Sequence, residues 1–257
     1  MELVKWQIWQ LGNKWKPLIN VYYHVTNEGV SKYTNPTDFD SHLSCVLLDG
    51  DHTGALSAVT STSNVTLAAD EDAGVDDVEG HLLLLTSGTG TKQAVQVDGY
   101  SATTKVAAMA EAYGTLPVTA DEYLVVNEEK ELSQHPIYIR DRTSDWHDKS
   151  IPTSYFPISN STYGGFELYP VPDGVYGVQQ RYYASLMLLD LAGTLYSTLL
   201  RRWQGIFTQG VLAWKLKQED DSRYGGELAI YSQMLQVLKA KDLDNLDLSN
   251  LQMTVGE

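Results

Sequence analysis

Two short apolar runs open the pattern. Leu18–Thr26 (LINVYYHVT) is rich in β-branched and aromatic residues, and Leu43–Leu48 is a second such run, so both predict strands. Asn27-Glu28-Gly29 and Asn35-Pro36-Thr37-Asp38 predict turns beside them. Between Gly50 and Asn127 long side chains thin out and Thr, Ser, Val, Ala and Gly take over. Short candidate strands fall at Ala55–Thr60, Asn64–Ala68, His81–Thr86, Gln93–Asp98, Lys105–Ala110 and Tyr123–Val126, separated by turns such as Ser87-Gly88-Thr89-Gly90 and Asp98-Gly99. Regularly spaced short strands of this kind predict a small β-sandwich or barrel. Ile137–Arg140 and Ser154–Ile158 read as further strands. Phe166–Tyr169 and Tyr176–Tyr183 read as a strand pair joined by Pro170-Val171-Pro172-Asp173-Gly174.

The period then changes. Met1–Leu11 predicts a short amphipathic helix, and Leu195–Trp203 a short helix or the start of a longer one. Trp203–Lys217 is apolar at spacings of three and four, through Trp203, Ile206 and Trp214. Tyr224, Leu228, Tyr231, Leu235 and Leu238 fall at alternating spacings of four and three, the narrow seam of a helix packed along a partner. The acidic link Glu219-Asp220-Asp221-Ser222 offers Asp221 or Ser222 as a cap, and the two helices are expected to form an antiparallel hairpin. The tail 242–257 scatters Leu243, Leu246, Leu248 and Leu251 among acids and amides, either as a frayed end or as an arm that orders on a partner. The expected fold is α+β: a C-terminal helical hairpin or bundle with a small antiparallel β region from 1–49 and 128–241, an inserted all-β module at 50–127, and a tail from 242.

Charge narrows the function classes. The net charge is -15, from 33 acidic and 18 basic residues. Affinity for nucleic acid comes from Lys and Arg displacing counterions at phosphates, and this chain has few and scatters them. An acidic surface repels DNA and suits a wall that DNA slides past without specific binding. The single cysteine, Cys45, sits in an apolar run and reads as a buried hydrophobe. Neither a signal peptide nor a membrane span is apparent, so a cytosolic site of synthesis is expected.

Little in the sequence points to chemistry. Gly88-Thr89-Gly90-Thr91-Lys92 lacks the spacing and the following Ser or Thr of a phosphate loop and lies between strands, so it reads as a turn. Asp70, Asp72, Asp76, Asp77 and Glu79 miss the calcium-loop pattern, because Gly74 and Val75 stand where Asn or Asp and then Gly are needed. They read as a solvated acidic loop, with a weak cation site in a loop of the β module as the alternative. His24, His42, His52, His81, His135 and His147 show no helical pair and no cysteine partner. Trp6, Trp9, Trp15, Tyr22 and Tyr23 read as core or subunit contact. A non-enzymatic chain with no cofactor and no metal is expected.

One stretch resembles a known family. Leu168-Tyr169-Pro170-Val171-Pro172-Asp173-Gly174-Val175-Tyr176, then Arg181-Tyr182-Tyr183 and two closing helices, resembles the head-to-tail connector (adaptor) proteins of tailed phages. Tyr33-Thr34-Asn35-Pro36-Thr37-Asp38-Phe39-Asp40 and the Trp-rich start are also similar to that family. The insertion, with Leu83–Gly90, Gln93–Tyr100 and Thr104–Ala110, resembles a repeat of phage structural proteins. The short N-terminal helical stretch and the β insertion depart from the usual family pattern. The resemblance implies a homo-oligomeric ring, typically of twelve subunits, at the head-tail junction (neck) of the virion. It would bind the portal protein above, offer its lower face to a stopper or tail protein, and line part of the DNA channel. On that reading Leu243, Leu246, Leu248 and Leu251 would contact the portal or another partner. A stopper, a tail terminator or a carbohydrate-binding decoration protein are the alternatives.

Overall fold

The computed structural model describes residues 19–140, 148–158, 164–185 and 204–244. The chain divides into two compact units: Asn20–Tyr182, and the terminal stretches Met1–Ile19 with Tyr183–Glu257.

The β unit begins as a sandwich. Its first sheet has the order β1 (Ile19–Val25), β15 (Gly177–Ala184), β3 (Phe39–Asp49), β11 (Glu128–Glu131). The second has the order β12 (Ser133–Gln134), β13 (Ser154–Ile158), β14 (Gly165–Tyr169), β2 (Lys32–Thr34). Cys45, Leu47 and Val178 of the first sheet meet Tyr155, Phe166 and Leu168 of the second, with Leu132, in one buried cluster.

Strand β3 explains how the rest attaches. Cys45, Val46, Leu47 and Leu48 are all buried, although alternate side chains of a strand point to opposite faces. Cys45 and Leu47 fill the sandwich, while Val46 and Leu48 pack with Leu84, Leu124 and Val126 of the inserted segment. Both faces of β3 are therefore covered. Gly177 permits this close approach: a Cβ there would come within 2.4 Å of Leu84 and 3.0 Å of Leu48.

The insertion is continuous with the sandwich. Beyond Asp49 the chain passes Gly50 and runs into β4 (His52–Ala55), which pairs with β10 (Glu122–Val126), while β3 pairs with β11. Gly50 is required at this passage, because a Cβ would lie 1.9 Å from the Val125 carbonyl oxygen. The seven-stranded sheet has the order β4, β10, β7 (Leu82–Leu85), β8 (Ala94–Ser101), β9 (Val106–Met109), β6 (Asn64–Thr66), β5 (Ala58–Ser61). Its two outer strands, β4 and β5, are halves of one stretch, His52–Ser61. Leu56 exchanges backbone hydrogen bonds with Asp121 and Ala120, and the Ser57 N–H donates to the Thr66 carbonyl, so the sheet closes on itself. Leu56, Val65, Leu67, Leu83, Leu85, Val97, Ala107 and Tyr123 belong to its core. The one-turn helix α1 (Val75–Val78) adds Val78.

Three expectations change. The α+β class gives way to a mostly β molecule of three antiparallel or mixed sheets, in which helix is a small C-terminal part. Among the described residues there is no helical bundle; the long helices are α3 (Gln204–Gln218) and α4 (Tyr224–Asp244). The physical reason is that the β-branched and aromatic runs of 128–185 join those of 19–49 in two packed sheets, while among the described residues helix is confined to 75–78, 137–140 and 204–244. Phe166–Tyr169 and Tyr176–Tyr183 are not paired: β14 and β15 lie in different sheets, because the Pro170–Gly174 segment carries the chain from one to the other. Ile137–Arg140 is the helical turn α2, not a strand. Pro136 stands just before it, where a missing N–H costs nothing, and its carbonyl accepts from Ile139. The helices expected at Met1–Leu11 and Leu195–Trp203 lie outside the described residues.

Candidate functional site

The helices α3 and α4 form an antiparallel hairpin. The Gln209 side chain donates to the Glu227 carbonyl and carboxylate, and Gly205 faces Met234. Between them, Asp220 adopts a left-handed φ of 49°. Asp221 caps α4: its carboxylate accepts the Arg223 N–H at 2.8 Å and pairs with the guanidinium at 2.7 Å. Hydrogen bonds from Arg223 hold that carboxyl down at about 2.

The seam residues fall as follows. Ile206 and Tyr231 are buried, joined by Ala213 and Leu216. Tyr224, Leu228 and Leu235 are half-buried. Trp214 is 38% exposed, so it lies outside the seam. Trp203 is outside the described residues, and so is the Leu238 side chain. Of the proposed partner-contact leucines, Leu243 lies in the last turn of α4, and Leu246, Leu248 and Leu251 are outside the described residues.

The structure adds a pair of exposed apolar residues on α4. Ile230 is 47% and Val237 55% exposed, seven residues apart. With Gly226 and Gln233 they repeat the four-three spacing of the seam, displaced by two residues, which is about 200° around the helix. The helix α4 thus carries a seam toward α3 and, on the opposite face, two exposed apolar side chains, Ile230 and Val237. On α3, Leu212 is 41% exposed and Val211 half-buried. The spacing of Ile230 and Val237 is visible in the sequence, but the richer seam through Leu228 and Leu235 masks it.

Two polar clusters anchor the β unit. The first holds the glycine-rich turn. Asp121 is 2% exposed, and its carboxylate accepts the N–H groups of Thr89 (3.3 Å), Gly90 (3.1 Å) and Val118 (3.0 Å). Gly88 has φ +74°, and a Cβ there would lie 1.7 Å from an Asp121 oxygen. The amides that a phosphate would need are turned toward this protein's own carboxylate. Gln93 then ties the turn to Thr115 by 2.8 and 3.2 Å hydrogen bonds.

The second cluster lies in the sandwich. Gln180 accepts from His24 Nε2 (2.8 Å) and donates to Asn35 (2.9 Å) and His42 Nδ1 (3.1 Å). One amide has one acceptor and two donors, so His24 carries its proton on Nε2 and His42 on Nε2. Burial pushes both imidazoles down to about 4; beside it, Gln180 acts upward on His24 while Lys92 and His42 act downward, and the Gly165 carbonyl acts upward on His42. Burial also pushes the Cys45 thiol up to about 12, so it is a packing residue at neutral pH.

The acidic loop holds one inward carboxylate, Glu71, which nothing in the sequence pattern separates from its neighbours. Asp70, Asp72, Asp76, Asp77 and Glu79 are exposed, but Glu71 is 8% exposed. It accepts from His52 Nδ1 (2.9 Å), the Ala73 N–H (3.3 Å) and the Tyr123 hydroxyl. Burial acts to raise its carboxyl, and hydrogen bonds from Tyr123, His52 and Ala73 outweigh it, leaving it below the usual range. His52 Nδ1 lies 3.8 Å from Asp72. Among the described residues these three are the group whose donor atoms gather closely enough to hold a cation.

A shallow hollow of about 290 Å³ lies beside Leu43, Glu131 and Tyr155. No described helix is long and apolar enough to cross a membrane. The charge is unevenly divided: 20–182 holds 23 acidic and 8 basic residues, and the rest of the chain ten of each. Compared with protein-family models and with curated proteins, the sequence matches none.

Proposed function

We propose that this chain is a non-enzymatic structural subunit of a tailed-phage virion, assembling as a homo-oligomeric ring at the junction of head and tail. The observation that carries the reading is the hairpin with apolar residues on its outer sides. A closed ring uses heterologous contacts, so each subunit needs two different faces that complement each other. Leu212 on α3, and Ile230 with Val237 on α4, supply one exposed apolar group on each helix. The acidic β unit supports the remainder: a net charge of -15 concentrated in 20–182 repels a passing duplex. In this reading the ring binds the portal above and a stopper or tail protein below. A stopper or tail terminator would use the same two-sided hairpin, and direct contact with the portal separates them.

Cryo-electron microscopy of virions tests the proposal. A ring of this chain's β unit and hairpin directly beneath the portal is expected. Virions whose neck contains no copy of it would overturn the reading, and a ring lower in the neck would replace adaptor by stopper or terminator.

A further inference from the structure

The inserted barrel carries a cluster that the assembly reading does not use. His52 starts β4, and Glu71 and Asp72 follow one another in the loop after β6. An imidazole nitrogen sets this group apart from the acidic surface around it. We propose that His52, Glu71 and Asp72 bind a divalent transition-metal cation of the zinc class, through one imidazole nitrogen and two carboxylate oxygens, with solvent completing the shell.

Four observations carry this. The first is spacing. Ligand atoms about 2.0–2.2 Å from one tetrahedral metal stand roughly 3.3–3.6 Å from each other. His52 Nδ1 lies 2.9 Å from Glu71 Oε1 and 3.8 Å from Asp72 Oδ1, and all three donor atoms are within 4.8 Å. Small side-chain shifts bring them to one centre, with the His52 proton carried on Nε2 so that Nδ1 presents its lone pair to the metal. The second is pre-orientation. The Tyr123 hydroxyl donates to Glu71 Oε2, leaving Oε1 turned toward His52, and the same hydroxyl accepts the Ala68 N–H at 3.2 Å. Outer partners of this kind fix a ligating carboxylate. The third is access: the Glu71 side chain is 4% exposed and His52 19%, while Asp72 at 95% opens the group to solvent. The fourth is field. The stretch 50–127 carries 11 acidic residues and 2 basic ones, which raises the local concentration of cations.

The donor set selects the metal. Calcium and magnesium favour oxygen-only shells, whereas imidazole suits zinc, nickel and copper. The proposal does not depend on ring assembly.

The experiment is calorimetric titration of the full chain, dialysed against chelator, with zinc chloride and separately with calcium chloride. Zinc is expected to bind saturably at one equivalent and calcium far more weakly. His52→Ala and Asp72→Asn should each weaken zinc binding at least tenfold. Because Asp72 is exposed, Asp72→Asn should leave the melting temperature of the metal-free chain unchanged, which separates lost ligation from lost folding. Tyr123→Phe should weaken binding about 10- to 100-fold. Absence of saturable zinc binding overturns the proposal. So does zinc binding that calcium matches and that His52→Ala leaves intact, since that is diffuse attraction to an acidic surface.

Discussion

The β unit and the helical hairpin handle polar groups in different ways. The cores of the β unit also hold polar groups with partners in the same chain: Asp121 is bonded by three backbone amides, Glu71 by Tyr123, His52 and Ala73, and Gln180 by His24, Asn35 and His42. In the hairpin, charges reach solvent while Leu212, Ile230 and Val237 remain exposed. A buried polar group must find its partner within its own chain, because leaving it unpaired costs about 1–3 kcal/mol. Exposed apolar side chains incur no such penalty, in the hairpin as at Val21, Leu116 and Val175 of the β unit, and remain open to a second molecule. The contrast teaches where each kind of specificity resides. The β unit specifies its own fold through polar contacts, and on the proposed reading the hairpin offers surfaces for assembly.

The contrast can be broken most strongly at Gly88. Gly88→Ala forces a Cβ onto the Asp121 carboxylate at a left-handed φ, and it should lower stability by about 3 kcal/mol or more, read by urea denaturation. A loss under about 1 kcal/mol would show that the turn accommodates the change and that Asp121 is not the anchor.

The histidine pair comes next. Both imidazoles titrate near 4 when folded and near 6.5 when unfolded, so the unfolded chain binds more protons between those values. Their contribution is therefore fully present above about pH 6.5 and is lost as pH falls toward 4, by about 2–3 kcal/mol for each residue. Urea midpoints at pH 7 and pH 4.5 check the slope, and replacing His24 and His42 together should flatten it in that window. An unchanged slope would remove the buried-histidine explanation.

Smaller effects sharpen the other side. Leu212→Asp and Ile230→Asp alter exposed positions, so each should change the stability of the isolated subunit by about 0.5 kcal/mol or less. Their effect should appear in assembly. Gly226 sits in the first turns of α4, and a Cβ added there would meet nothing within 4 Å. Gly226→Ala should therefore add up to about 1 kcal/mol to the hairpin, read by circular dichroism melting.

Legibility in the sequence followed the same division. Strands with alternating or β-branched runs, such as Ile19–Val25 and Ser154–Ile158, fell within a residue or so of their expected positions. The hairpin was legible because its period is helical over more than thirty residues. The class was misjudged because family resemblance gave the helices more weight than their share of the chain. Sheet partners were not legible: nothing in Pro170–Gly174 says that β14 and β15 part company, since pairing is decided by long-range packing. Glu71 was hidden by its acidic neighbours, and its inward turn depends on Tyr123, 52 residues away.

The most direct test of the account is the mass of the purified chain by light scattering, alone and mixed with portal rings, for the wild type and for Ile230→Asp. The account predicts a closed multiple of 28.6 kDa for the wild type under at least one of these conditions, and loss of that species in the variant. A wild type that stays at 28.6 kDa with and without the portal would contradict it.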